Sequence, residues 1–385
     1  MVKIFSIIVL LTHYIYADIS FDEFLNNALK NSPYLKANAI NITQASLNGD
    51  IVKRYENPSL GFQYTKSESD IDKNEYAISV SQDINLWGVG KSNKNYADSL
   101  ERKSTIEYKL SYAKFKQSIS LLFVEYAKSC ELYALAKDEL KIASRIYNIS
   151  KERYKAGTIS NSVLLQAQVD YEMVEINLES LNLAMKRSYF NLLEFAGCND
   201  EVELNHHHKF SILESKSNPD LEYLNSLNDE ALALSELNTH KIERVKLQAG
   251  FERVDKQNSF SVGVEIPLTL FNTKTEELEL AKLESHKLKL LHKKESTRVK
   301  LKLSQLRDER SLFQKLILKN TTTLQTQERL LEMFEDGYKI SNLNLLQLQS
   351  IKNMVIQTKK SIIKLKLALD INIINTNYIQ GAYNG

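Results

Sequence analysis

The chain of 385 residues is poor in the residues that interrupt or staple a fold: two cysteines, four prolines, eleven glycines and one tryptophan. Between Gly90 and Gly197 there is no proline and a single glycine, Gly157, and between Lys274 and Gln380 no proline and a single glycine, Gly337. Helix interiors exclude those two residue types, so both stretches suit very long helices. No segment after the first residues approaches the ~18 consecutive apolar positions of a membrane helix. Charge of one sign is missing as well, with 50 basic against 48 acidic residues. A dominant electrostatic partner such as nucleic acid is therefore not indicated, and a solvated mixed-charge helical surface is the plain reading. Cys130 and Cys198 lie about 27 residues before and about 41 after a fold-back at Gly157, a mismatch of roughly 20 Å along a helical hairpin, which predicts two free thiols.

What is present begins with a leader. Lys3 precedes an apolar run from Ile4 to Leu11, and Tyr14-Ile15-Tyr16-Ala17 follows. This is the pattern of a secretory signal peptide over residues 1–17, with cleavage expected after Ala17 and no cysteine beside it to carry a lipid. An exported chain without a membrane helix crosses a bilayer, if at all, with β-strands.

Counting back from Tyr154 in sevens meets Tyr147, Leu140, Tyr133, Tyr126, Ile119 and Tyr112. Three residues beyond each of the earlier members stand Phe115, Leu122, Ser129, Ala136, Ala143 and Ser150. A sustained heptad seam of this kind winds helices into a left-handed coiled coil. The series recurs about 184 positions later as Ser296, Leu303, Arg310, Ile317, Leu324, Leu331 and Tyr338, which marks a tandem duplication. In that register Gly157 corresponds to Ser341, and Ser160 to Asn344. Pairing "TISN" with "KISN" instead breaks the heptads. Apolar spacing resumes past each break, through Val174, Leu178, Leu181 and Met185, and through Ile351, Val355, Thr358, Ile362, Leu365 and Leu369. Each half thus reads as a helix about 100 Å long, a tight turn and a returning helix of about 35 residues. Gly157 allows the backbone conformation of the turn, and Ser160 is expected to cap the returning helix.

Upstream of each helical hairpin the period changes from seven to two. Leu60, Phe62 and Tyr64 alternate with Gly61, Gln63 and Thr65, and Ile78 and Val80 with Ser79 and Ser81. Val245, Leu247, Ala249 and Phe251, then Phe260, Val262, Val264 and Ile266, repeat the pattern in the second half. These are four strands with one apolar face, each near the length that crosses a membrane at a tilt. Four strands cannot close a membrane barrel and open edges are excluded from lipid, so other copies must complete them. Three copies give twelve strands.

These residues resemble the TolC-like outer membrane efflux proteins along nearly the whole mature chain. "RYKAGTISNSVLLQAQ" (153–168) is similar to the family's hallmark turn, R-Y-x-x-G-x-x-S-x-x-D-L-L-x-A-Q, with Val163 in place of the acidic residue. "ALKNSPYLKANAINITQA" and "ENPSLGF" resemble the N-terminal helix pair and the first strand entry, and "VSQDINLWGVGKS" and "VEIPLTLFNTKTEE" the two strand-to-helix transitions. The last of these looks most like the subgroup serving cation efflux. The resemblance implies a mostly α protein with a membrane β-barrel portion, made of two tandem repeats, each a β-hairpin plus a long coiled-coil helical hairpin. It implies a homotrimer in the outer membrane of a Gram-negative cell, with a twelve-stranded barrel among the lipids and a periplasmic helical tunnel. Its partners would be a periplasmic adaptor (membrane fusion) protein and an inner-membrane pump of RND or ABC type. Passive conduction of metal cations or drugs is implied, without cofactor or enzyme activity; a type I protein secretion duct or a non-conducting periplasmic coiled-coil scaffold are the alternatives.

The resulting organisation is a leader (1–17), N-terminal helices (18–57), a barrel hairpin (58–86), a helical hairpin with its tip near 157 (87–197) and an equatorial linker (198–218). The second repeat follows with helices (219–244), a barrel hairpin (245–268) and a helical hairpin with its tip near 341 (269–380), before a short tail (381–385). By resemblance, Arg153, Tyr154, Gly157 and Ser160, with Tyr338, Ser341 and Asn344, form the tips where the adaptor docks. Gln347, Ser350 and Leu343 stand where better-known members place acidic and basic gate residues. Glu335 and Asp336 are the acidic pair next to the second turn, and threefold symmetry would multiply them into a ring of six carboxylates at the pore entrance. Trp87 is a candidate anchor at the membrane interface. His206, His207 and His208 are the only metal-like cluster; adjacent residues of an extended segment cannot all reach one ion, so they read mainly as incidental loop histidines.

Overall fold

The computed structural model describes residues 19–67, 73–198, 202–255, 257–340 and 343–384. The expected leader and Ser341 lie outside the described residues. In chain order the elements are α1 (Phe21–Asn31), α2 (Pro33–Lys53), β1 (Ser59–Ser67), β2 (Lys73–Asn85), α3 (Val89–Lys155) and α4 (Asn161–Ala196). The second repeat supplies α5 (Pro219–Asn238), β3 (Arg244–Val254), β4 (Gln257–Glu265), α6 (Thr275–Lys339) and α7 (Leu345–Ile379). The 67-residue α3 and the 65-residue α6 are uninterrupted helices, as the scarcity of glycine and proline requires. They end at Lys155 and Lys339, and their partners begin at Asn161 and Leu345, so both turns keep the same spacing of about 184 residues. Among the described residues no helix is long and apolar enough to cross a membrane.

The chain divides into two compact units. Of the described residues, one comprises Ile19–Pro33, Lys114–Ser215 and Leu303–Tyr378. It holds both helical turns and is built around a core in which Ile146 of α3, Ala167 of α4, Leu331 and Tyr338 of α6, and Leu348 and Val355 of α7 meet. The heptad reading is corrected in one respect. Ala136, Ala143 and Ser150 are buried together with Glu139 and Ile146, so the seam lies between these positions. Tyr126, Tyr133 and Tyr147 are only half-buried and flank it. A tyrosine keeps its hydroxyl near water while its ring covers the seam, whereas alanine and serine let helices approach closely. Cys130 and Cys198 form no disulfide, as their spacing predicts.

The other unit comprises Tyr34–Ala113, Lys216–Lys302 and the chain from Ile379 onward. It contains one antiparallel sheet in the order β1-β2-β3-β4. The two hairpins are joined by β2 and β3, which pair from Glu75↔Val254 to Asn85↔Arg244. This register stacks alternating residues of all four strands into two unlike faces. Phe62, Ile78, Phe251 and Phe260 form one row, and Leu60, Val80, Ala249 and Val262 the next. The reverse face carries Gly61, Ser79, Gly250 and Ser261, with Ser59, Ser81, Gln248 and Gly263 beside them. Among the described residues the apolar face is open: Phe62 is 71%, Phe260 85% and Val262 87% exposed.

Candidate functional site: the two turns and the apolar sheet face

The first turn closes as a Schellman motif. The Gly157 amide donates to the Tyr154 carbonyl at 3.0 Å and the Thr158 amide to the Arg153 carbonyl at 2.9 Å. Gly157 sits at φ +72° with nothing within 4 Å of where a side chain would start, so backbone conformation and not space requires glycine. Ser160 occupies the N-cap of α4 with extended backbone, but its side chain makes no capping bond. Its hydroxyl pairs with that of Ser162 at 2.7 Å instead, which corrects the expected cap. The side-chain cap belongs to the other turn. Asn344 Oδ1 accepts from the Gln347 amide at 2.9 Å, and Gln347 Oε1 receives the Asn344 amide at 3.4 Å, a reciprocal capping box. Gly337 makes room for Leu343: a Cβ there would lie 2.6 Å from Leu343 Cδ1.

Arg153 joins the two turns. Its Nη1 donates to the Tyr338 carbonyl at 2.8 Å and to the Leu343 carbonyl at 3.5 Å, and its guanidinium lies 4.5 Å from the centre of the Tyr338 ring. The Tyr338 hydroxyl meets Ser150 Oγ at 2.8 Å, and Ser150 donates its own proton to the Ile146 carbonyl at 2.9 Å, so Tyr338 is the donor of the pair. Tyr338 is 1% exposed, whereas its repeat equivalent Tyr154 is 43% exposed. Val163, which replaces the acidic residue of the hallmark pattern, packs against the same core.

Ion pairs tie the repeats together above the turns, Lys360–Glu139 at 3.8 Å among them. Arg145 reaches both oxygens of Glu335, at 3.1 and 3.2 Å. The expected acidic pair therefore divides, with Glu335 held by Arg145 and Asp336 exposed. Lys352 of α7, fully buried, reaches Asp170 of α4 at 2.5 Å. Arg145, Asp170 and Lys352 belong to no motif of the sequence, and Ser150 stands there only as a position of the seam. The one available signal was a lysine placed between Ile351 and Val355 on a buried face.

The linker histidines separate in role. His208 is packed, its ring 4.7 Å from those of Phe21 and Phe210, with Nδ1 4.0 Å from an Asp22 oxygen. Burial holds its imidazole below the usual pKa, opposed by Asp22. The rings of His206 and His207 lie 4.0 Å apart, tilted by 41°. All three line a cavity of about 290 Å³ with Glu131 and Asp370, where burial, reinforced by Glu131, pushes the Asp370 carboxyl up to about 6. Among the described residues no His, Cys, Asp or Glu group is arranged to hold a metal ion.

Trp87 is 98% exposed, so it is not a packed joint residue. The Leu86 amide donates to the Glu243 carbonyl at 2.9 Å, Gly88 turns the chain at φ +86°, and Val89 tucks inward, which leaves the indole facing out.

Residues 24–197 match the family model of the outer membrane efflux protein family. No functionally curated protein matches the chain in sequence. Solved structures match almost all of it. The outer membrane channel CmeC of Campylobacter jejuni is 15% identical, with a TM-score of 0.76 over 94% of this chain and 86% of CmeC. The outer-membrane channel OprN is 11% identical, with a TM-score of 0.80 over 94% of this chain and 90% of OprN. The outer membrane channel MtrE of Neisseria gonorrhoeae, in an open state, is 12% identical, with a TM-score of 0.75 over 93% of this chain and 88% of MtrE. The first repeat is thus similar to the outer membrane efflux protein family, and both repeats have the fold of these channels.

Proposed function

We propose that this chain is the outer membrane exit duct of a tripartite efflux system, conducting passively what an inner-membrane pump delivers through a periplasmic adaptor. The observation that carries the reading is the sheet: one face apolar and uncovered, the other small and polar, and β1 and β4 left at its two edges. Lipid accepts such a face only where every edge is paired, so three copies close twelve strands with the apolar face outward and the polar face around a lumen. The helical hairpins that continue from each strand pair then form the periplasmic tunnel.

In this arrangement the turns at Gly157 and between Lys339 and Leu345 are the adaptor-docking tips, with Arg153 holding the first to the second. The pore entrance carries three free Asp336 carboxylates, since Glu335 is neutralised by Arg145. Such a ring favours cations at the entrance, while cargo selection rests with the pump. No step of this function makes or breaks a bond.

Fractionation and native mass test the proposal. The protein is expected in outer membrane fractions, with a detergent-solubilised mass of three chains. A soluble periplasmic monomer would refute it.

A further inference from the structure

The apolar face of the sheet changes character at the end where its hairpins turn. Beyond the row of Phe62, Ile78, Phe251 and Phe260, the register aligns Tyr64, Tyr76, Arg253 and Asn258, and beyond these Lys66 with Asn74. Every other strand residue of this face is uncharged, so its charge is two basic side chains, both in the last two rows. A cation on a face that otherwise meets hydrocarbon either reaches water along its own stem or finds an anion at headgroup level.

Lys66 and Arg253 are both exposed, and among the described residues neither is ion-paired. Arg253 makes one long contact, its Nε donating to the Asp255 carbonyl at 3.5 Å, which leaves both terminal nitrogens of the fork available. The Asp255 carboxylate lines the same groove but is not paired with Arg253. That groove, about 510 Å³, runs from Phe62, Ile78 and Phe251 to Tyr76, Arg253 and Asp255. Tyr64 stiffens its polar end, with its ring 5.1 Å from that of Tyr76 and its hydroxyl donating to Asn74 Oδ1 at 3.1 Å. One end of the groove thus suits a hydrocarbon chain, and the other an anion.

We propose that this groove binds an anionic lipid, with its phosphate held by Arg253 and by Lys66 from the next row, and with an acyl chain lying over Phe62, Ile78 and Phe251. This rests on the membrane reading above. The strands join helices at their opposite ends, so the lipid belongs to the leaflet away from the helices. A planar guanidinium matches a phosphate with two parallel hydrogen bonds, while the lysine adds charge without demanding a geometry. Basic groups beside an apolar groove select lipids by headgroup charge. A zwitterionic lipid fills the apolar end equally well but leaves the two cations uncompensated.

The full chain, purified in a non-ionic detergent, is titrated with dioleoyl phosphatidate and separately with dioleoyl phosphatidylcholine, and bound lipids are counted by native mass. Phosphatidate adducts are expected at about tenfold lower lipid concentration than phosphatidylcholine adducts, as a charged hydrogen-bonded contact implies. Arg253→Gln with Lys66→Gln is expected to abolish that preference and to leave phosphatidylcholine uptake as it was, with Lys66→Gln alone as the milder variant should the double one fail to assemble. Lys246→Gln, which removes a cation from the reverse face, is expected to keep the preference. Equal uptake of both lipids by the parent assembly, or an equal loss of preference in Lys246→Gln, would refute the site and leave the membrane reading standing. Displacement of phosphatidate by an equal concentration of inorganic phosphate would show that the groove contributes nothing, which also refutes a lipid site. A monomer that takes up neither lipid would overturn the membrane reading itself.

Discussion

The guanidinium of Arg153 lies 4.5 Å from the centre of the Tyr338 ring while its Nη1 donates to the Tyr338 carbonyl at 2.8 Å. One side chain of the first turn thereby satisfies an end carbonyl of the helix leading into the second, a group with no partner inside its own helix. Lysine can replace the charge but not the planar stacking geometry. Arg153→Ala is expected to cost about 1–3 kcal/mol of stability in the helical unit and to open both turns to proteolysis. Arg153→Lys should recover only part of the protection. Unchanged cleavage in both variants would show that the contact holds nothing.

The repeat equivalents Tyr154 and Tyr338 make opposite predictions. Tyr338→Phe removes a buried hydroxyl that donates to Ser150, and is expected to cost about 0.5–1.5 kcal/mol by denaturant unfolding. Tyr154→Phe alters an exposed ring and should fall within about 0.5 kcal/mol of the parent. Equal effects would contradict the inequivalence of the two turns.

Lys352 and Asp170 form an ion pair out of reach of water on the lysine side. Removing one partner strands the other, so Asp170→Asn is expected to destabilise the helical unit by about 3–5 kcal/mol. The double change Lys352→Met with Asp170→Leu should recover most of that loss, because an apolar pair of similar volume carries no desolvation cost. A double variant as unstable as the single one would place the stabilisation in specific polar contacts instead.

Asp370 predicts a pH dependence. Its carboxyl rises from the ordinary value of 3.8 to about 6, chiefly through burial and then through Glu131. The folded state therefore holds this proton more tightly than the unfolded one, and the associated stability, complete below about pH 4, is lost as pH rises through about 6. Asp370→Asn is expected to melt higher than the parent at neutral pH, with the difference vanishing near pH 4. His208, whose pKa is lowered, acts in the opposite sense as pH falls, and it is present in both chains. A melting difference independent of pH would contradict the assignment.

Features carried by local pattern were legible in the sequence. Alternation along 60–64 and 260–266 marked the strands, and the recurring heptads located both turns, because period two and period seven are written in adjacent residues. Three things were not. The seam between Ala143 and Ile146 depends on which neighbour each face meets, and heptads alone leave a one-residue ambiguity between Ile146 and Tyr147. Ser160 has the composition of a cap, yet its hydroxyl found Ser162, and no sequence rule weighs the first amides of α4 against that neighbouring hydroxyl as its partner. The links Arg145–Glu335, Arg153–Tyr338 and Asp170–Lys352 join positions about 180–190 residues apart, a separation across which composition carries no signal without the fold.

If the chain conducts as proposed, the polar face of the sheet lines the pore. Ser79 and Val80 are adjacent in β2 and lie on opposite faces. Each is replaced singly by cysteine in a Cys130→Ala/Cys198→Ala chain, and unitary conductance in planar bilayers is recorded before and after a hydrophilic cationic thiol reagent. Discrete conductance steps that shrink on labelling Ser79→Cys and persist with Val80→Cys are predicted. Absence of steps, or steps indifferent to labelling at both positions, would contradict the account.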